Sequence, residues 1–192
     1  VIPGSLTASA VVYPSPLANL TEALKRLIRE PYGCFEQTSS TTYPLVMAQQ
    51  YFQSHTGIDP ELIKQASEKL GKGYKRLIGF ECKGGGYEWF GQDPGHEALT
   101  AYGLLEFSDM SEVHNVDTAM LDRTRRWLLS TRDGKGGFER NRRALHTWVT
   151  DTDVSNAYIL WAVVESGEEG GSLSAELESL KTAAEKRDNS DV

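Results

Sequence analysis

Cysteine is scarce in this chain: Cys34 and Cys82 are the two it has in 192 residues. Two cysteines in that length make no disulfide scaffold, although the pair could be joined to each other. Histidine is scarce too, at four, and no Cys/His cluster has the spacing of a zinc site. Basic residues are outnumbered, 20 Lys and Arg against 27 Asp and Glu, for a net charge of −7. Phosphate backbones repel such a balance, so no nucleic-acid partner is expected. No apolar run approaches the roughly 18 residues that span a bilayer, so no transmembrane segment is expected. The chain also starts without an initiator Met or a signal peptide and ends in a polar tail. It therefore reads as a piece of a longer precursor, with targeting information outside it.

What is present is helical. Residues 16 to 30 repeat Leu at three- and four-residue steps and close at Pro31. Further helices are expected over Thr42–Gln53 with Pro44 in the first turn, Glu61–Phe80, Glu97–Phe107, Asp117–Thr131 with Asp117 as N-cap, Asp153–Glu165 and Leu173–Lys186. Residues 8 to 14, "ASAVVYP", read as one short β-strand whose partners lie elsewhere.

A repeat runs through the second half. "KGGGYEWFGQDPGHEALTAYGLLEF" (83–107) and "GKGGFERNRRALHTWVTDTDVSNAYILWAV" (134–163) share a plan of Gly-Gly, an aromatic, a polar loop and a helix containing Ala-Tyr. The aromatics Tyr87 and Phe138 lie 51 positions apart, and Tyr102 and Tyr158 lie 56 apart. A period near 50 with two helices per unit predicts an all-α fold of stacked hairpins, an α-solenoid or a closed α/α toroid. The glycines Gly84, Gly85 and Gly86 read as turn residues. No strand precedes them and no Lys-Ser/Thr follows, so no phosphate-binding loop and no cofactor is expected.

The chemistry concentrates in "PYGCFEQ" (31–37). Cys34 and Gln37 are three residues apart and share one side of a turn or first helical turn. A Cys34 thiolate there can attack the Gln37 carboxamide, expel ammonia and leave an internal thioester. Gly33 would permit the close turn, and Glu36 could assist proton transfer as ammonia leaves. Such a bond must be kept from water, and the aromatics Tyr32, Phe35, Tyr43, Trp89, Phe90 and Trp148 are candidates for the shield. From spacing alone, an inert buried cysteine is the simpler reading.

The motif nonetheless resembles the Pro-Tyr-Gly-Cys-Gly-Glu-Gln thioester motif of the α2-macroglobulin and complement family, and the repeat loops match that family's thioester domain in order and spacing. Phe35 stands where vertebrate members carry Gly, as bacterial members vary that position. The resemblance implies that residues 1–14 end a β-rich, CUB-like segment. Residues 15–192 would then be the N-terminal half of an α/α toroid like that of terpenoid cyclases and prenyltransferases. It further implies a Cys34–Gln37 thioester, exposed on proteolytic activation and attacked by a nucleophile on a target protease or surface. That target becomes attached through Gln37, in one turnover rather than by enzymatic catalysis, outside the cytoplasm and in concert with the remaining domains of the parent. The family's second catalytic position lies eight residues after the aromatic of the second loop, which gives His146; members with His there pass the acyl group to hydroxyls. His96 is a lesser candidate, and His55 and His114 read as solvated loop residues. Two other chemistries fit fewer residues: a Cys34–His146–Asp151 or Asp153 acyl-transfer site like that of transglutaminases, and a cyclase acid at "DTDV" (151–154).

Overall fold

The computed structural model describes residues 5, 10, 16–141 and 151–186. Seven α-helices account for most of them: α1 (Pro16–Leu27), α2 (Phe35–Ser54), α3 (Pro60–Leu77), α4 (Glu97–Ser111), α5 (Thr118–Ser130), α6 (Thr152–Glu165) and α7 (Ser174–Glu185). Single 3₁₀ turns, Ile78–Phe80 and Gly170–Leu173, follow α3 and precede α7. The expected strand at 8–14 falls almost wholly outside the described residues.

Neighbouring helices pair as hairpins, α2 with α3, α4 with α5 and α6 with α7, and the first member of each packs on the next, α2 on α4 and α4 on α6. This is the architecture of an α/α toroid, with α2, α4 and α6 forming the inner layer. The sequence pattern reflects the two layers. Outer helix α3 buries one stripe, Leu62, Ala66, Leu70, Gly73 and Leu77, and leaves Lys64, Lys72 and Lys75 exposed. Inner helix α4 is buried nearly all round, from Leu99 through Leu104 and Phe107 to Met110. The α2–α3 contact is tight at Gly73, where an added Cβ would stand 2.6 Å from Cγ2 of Thr42.

Helix α2 begins at Phe35, seven residues earlier than the periodicity suggested, so Pro44 lies inside it rather than in its first turn. The intervening residues are mostly hydroxylic, with weak helix preference of their own. They are held by back-bonding: Ser40 Oγ donates to Glu36 O (2.8 Å), Thr41 Oγ1 to Thr38 O (2.8 Å) and Thr42 Oγ1 to Thr38 O (2.8 Å). Asp59, Asp117 and Asp151 cap α3, α5 and α6, each accepting from the backbone N–H two residues on.

The two glycine-rich loops close alike. Antiparallel bridges join Glu81 to Tyr87 and Arg132 to Phe138, the same six-residue span 51 positions apart. Each loop aromatic is then tied to its inner helix. Tyr87 N–H donates to Thr100 Oγ1 (2.8 Å), and Phe138 N–H donates to Asn156 Oδ1 (3.3 Å). Thr100 and Asn156 are 56 positions apart, matching the offset of Tyr102 and Tyr158.

Candidate functional site

Cys34 is the N-cap residue of α2 and Gln37 its third helical residue, the spacing of a capping box. The Cys34 side chain faces the Gln37 backbone N–H. The Gln37 carboxamide turns back, and its Oε1 accepts the Cys34 backbone N–H at 3.2 Å. Helix geometry itself therefore carries the carboxamide carbon back to the residue that bears the thiol.

Gly33 makes room for this. Its φ of +78° is left-handed, and a Cβ there would lie 2.8 Å from Gln37 Cδ and closer still to Oε1. The site of a missing methyl is filled by the acyl group of Gln37. Both residues remain accessible, Cys34 half-buried and Gln37 exposed.

Residues remote in sequence fix the turn. The Phe35 N–H donates to Trp89 O (2.9 Å), and the indole Nε1–H of Trp89 donates to Glu36 Oε2 (2.8 Å). From α3, Arg76 donates to Gly33 O through Nε (3.2 Å) and Nη2 (2.5 Å). Thr38 Oγ1 donates to Tyr32 O (3.1 Å) and accepts from Arg76 Nε (3.2 Å). Nothing local in the sequence signals Arg76, which lies 42 positions beyond Cys34.

The model of the A-macroglobulin TED domain, the thioester domain, matches residues 7–186. The chain belongs to that family. An alpha-2-macroglobulin of Thermotoga maritima is 33% identical over 102 residues, which is 53% of this chain and 6% of the relative. Native alpha-2-macroglobulin from Escherichia coli, solved from domain MG7 to the C-terminus, superposes with a TM-score of 0.58 at 21% identity, over 84% of this chain and 25% of that one. The chain thus spans a small part of the proteins it matches.

Within this TED chain the six aromatics divide sharply. Phe35 is fully buried and points away from the Cys–Gln pair, against Tyr87 (ring centroids 5.1 Å apart), Phe80 and Phe107. It is a core residue. Trp89 is 8% exposed and braces the motif as described, while Tyr32 and Phe90 are 62% and 64% exposed and present their rings to solvent. Tyr43, two turns along α2, meets the Tyr102 ring at a tilt (centroids 5.9 Å apart) and donates to Asp109 Oδ2 (2.5 Å) on α4; burial and Asp109 raise its pKa. Trp148 and His146 lie outside the described residues. Of the five that are described, Trp89 is the one whose side chain hydrogen-bonds a polar side chain of the motif.

The remaining candidates have structural occupations. His96 caps α4, its Nδ1 accepting Leu99 N–H (3.2 Å), and meets Trp89 edge-on with ring centroids 5.0 Å apart. Burial lowers its pKa and holds it neutral, against the opposing pull of Glu97. His55 stacks on Tyr51 at the exposed end of α2. His114 is half-buried against Tyr74 rather than solvated, and burial lowers its pKa. Asp151 is engaged as the cap of α6, and Asp153 borders a surface cleft of about 630 Å³ with Lys135 and α7. Cys34 and Cys82 are separate free thiols. Cys82 is buried, donates to Gln92 O (3.3 Å), and burial pushes its thiol up to about 11. Among the described residues no group of three or more His, Cys, Asp or Glu side chains gathers to hold a metal ion, and no helix is long and apolar enough to cross a membrane.

Proposed function

We infer that this TED chain carries an internal thioester between Cys34 and Gln37 and uses it once, to attach its parent protein covalently to a target. The observation that supports this most directly is the Gln37 Oε1 on the Cys34 N–H, over a Gly33 whose missing side chain leaves the space. In formation, the Cys34 sulfur adds to Gln37 Cδ, the C–N bond breaks, and ammonia leaves with the thiol proton. Glu36, held by Trp89, is the carboxylate nearest in sequence to relay that proton. In capture, an amine or hydroxyl adds to the same carbon, the C–S bond breaks, and Cys34 regains a proton. The atoms balance in both directions and no cofactor is needed.

His146 is the residue that would accept the acyl group as an acyl-imidazole before passing it to a hydroxyl. Residues 15–192 would be the N-terminal half of the toroid, with residues 1–14 ending a preceding β-rich segment. The exposure of Gln37, Tyr32 and Phe90 fits a bond sheltered by other domains of the parent until proteolysis. The target is then a protease that cleaved the parent or a nucleophile on a surface, met in the periplasm, the envelope or the extracellular space.

Intact mass before and after methylamine, with a thiol count, tests the reading. A mass one ammonia below that of the sequence, restored to adduct mass by methylamine with release of one thiol, is the expected result. The plain sequence mass with Cys34 free in the intact parent protein would sink it. Gln37→Glu separates it from a turnover enzyme: the substitution abolishes self-acylation and would spare a Cys–His acyl transferase.

A further inference from the structure

The peptide unit between Gly33 and Cys34 has a hydrogen bond on each side. Its carbonyl oxygen accepts from Arg76 twice, at 3.2 Å from Nε and 2.5 Å from Nη2. Its N–H donates to Oε1 of Gln37 at 3.2 Å. Guanidinium, peptide plane and acyl oxygen are thus connected in series. Two further contacts keep Arg76 in place: Nε also reaches Thr38 Oγ1 (3.2 Å), and the guanidinium carbon lies 5.7 Å from the centre of the Phe80 ring. The lysines Lys69 and Lys72 of α3 pair with Glu30, whereas among the described residues no carboxylate closes an ion pair with Arg76. Its charge stays directed at Gly33.

Hydrogen bonds in series polarise one another. A cation on the carbonyl draws electron density toward oxygen and strengthens the N–H as a donor. In the tetrahedral intermediates of acyl transfer at Gln37 Cδ, negative charge gathers on Oε1, and a fixed donor aimed at that oxygen lowers the barrier. The start of α2 adds the positive end of its dipole at the same place.

We propose that Arg76 is an electrostatic positioning residue for the acyl chemistry of Gln37, acting through the Gly33–Cys34 peptide, whose N–H serves as the oxyanion donor. This rests on the thioester reading above. It adds a long-range residue to that site and assigns the oxyanion contact to the backbone rather than to a side chain. Arg76 touches none of the reacting atoms. Its guanidinium is partly in water, so its effect is smaller than that of a removed oxyanion donor, about tenfold in rate.

The test compares the intact protein with its Arg76→Gln and Arg76→Lys variants, prepared with ¹³C-labelled glutamine. Ammonia loss in the wild-type mass establishes the thioester; its absence there overturns the functional reading and this inference together. With the thioester established, methylamine should open Arg76→Gln about tenfold more slowly than wild type. Its labelled thioester carbonyl stretch should move to higher frequency, the mark of a weakened hydrogen bond. Arg76→Lys keeps the charge with a simpler donor and should fall between the two. A wild-type opening rate and an unshifted carbonyl in Arg76→Gln overturn the proposal while leaving the thioester intact. If Arg76→Gln does not fold, an unshifted carbonyl in Arg76→Lys overturns it as well.

Discussion

Trp89 and Glu36, 53 positions apart, are joined by an indole N–H on a carboxylate oxygen at 2.8 Å. The same tryptophan accepts the Phe35 N–H through its backbone oxygen. One loop residue therefore holds two consecutive residues of the Cys–Gln motif. Trp89→Phe keeps the backbone contact and removes the indole donor together with the fused five-membered ring. Because Trp89 is buried, the lost bond and the space left should together cost about 2–3 kcal/mol in urea unfolding. Loss of the brace on Glu36 should also slow ammonia release during thioester formation, read by mass against time after refolding.

Gly33→Ala places a Cβ 2.8 Å from Gln37 Cδ and closer still to its Oε1, and forces a left-handed φ on a residue with a side chain. The strain is about 1–3 kcal/mol. The larger consequence is chemical, because the carboxamide must leave the Cys34 N–H to make room. We expect the variant to fold with a lowered melting temperature and to show the plain sequence mass, with both thiols titratable.

Glu106 introduces a pH dependence unrelated to the Cys–Gln pair. It is fully buried on α4, neither carboxylate oxygen has a well-formed hydrogen bond among the described residues, and burial pushes its carboxyl up to about 8, against a smaller opposing pull from nearby Ser39. The folded chain holds a proton that the unfolded chain releases near 4.5. Its neutral form favours folding below the unfolded value, and that advantage is lost progressively as pH rises from about 4.5 to about 8. Glu106→Gln should match wild type at pH 4 and exceed it at pH 8 by on the order of a few kcal/mol. Urea midpoints across that range check the slope. Equal midpoints at pH 8 would show the carboxylate to be solvated.

His146→Asn should shift acceptor preference. With the imidazole gone, transfer to glycerol should fall about a hundredfold while methylamine still opens the thioester. The ratio of the two adducts by mass reads this directly, and an unchanged ratio removes His146 from the chemistry.

The helices were legible because their apolar residues recur at helical steps, and Asp117 declared its cap. Helix α2 was cut short in sequence because its first turns are hydroxylic, and their back-bonds to carbonyls three or four residues earlier are visible only once folded. The Cys34–Gln37 pair and the need for Gly33 could be read from three-residue spacing. Their supports could not, since Arg76 and Trp89 arrive from other hairpins. The directions of the aromatics were not legible for a related reason: proximity in sequence does not give direction. Phe35 turns into the core while its neighbour Tyr32 is exposed, and Phe90 is exposed beside the buried Trp89 that holds the motif.

The two loop aromatics are tied to their inner helices across unequal stretches, 13 residues from Tyr87 to Thr100 and 18 from Phe138 to Asn156. The five added residues fall within the second stretch, where His146 also lies in sequence. Eight positions after Tyr87 stands Gly95, so the first unit carries no histidine at the step that gives His146 in the second. If His146 directs acceptor choice, as proposed above, that choice resides in the stretch where the two units differ in length. A transplanted loop of altered length should re-tune acceptor choice while the hairpins, their caps and their anchor points stay as they are.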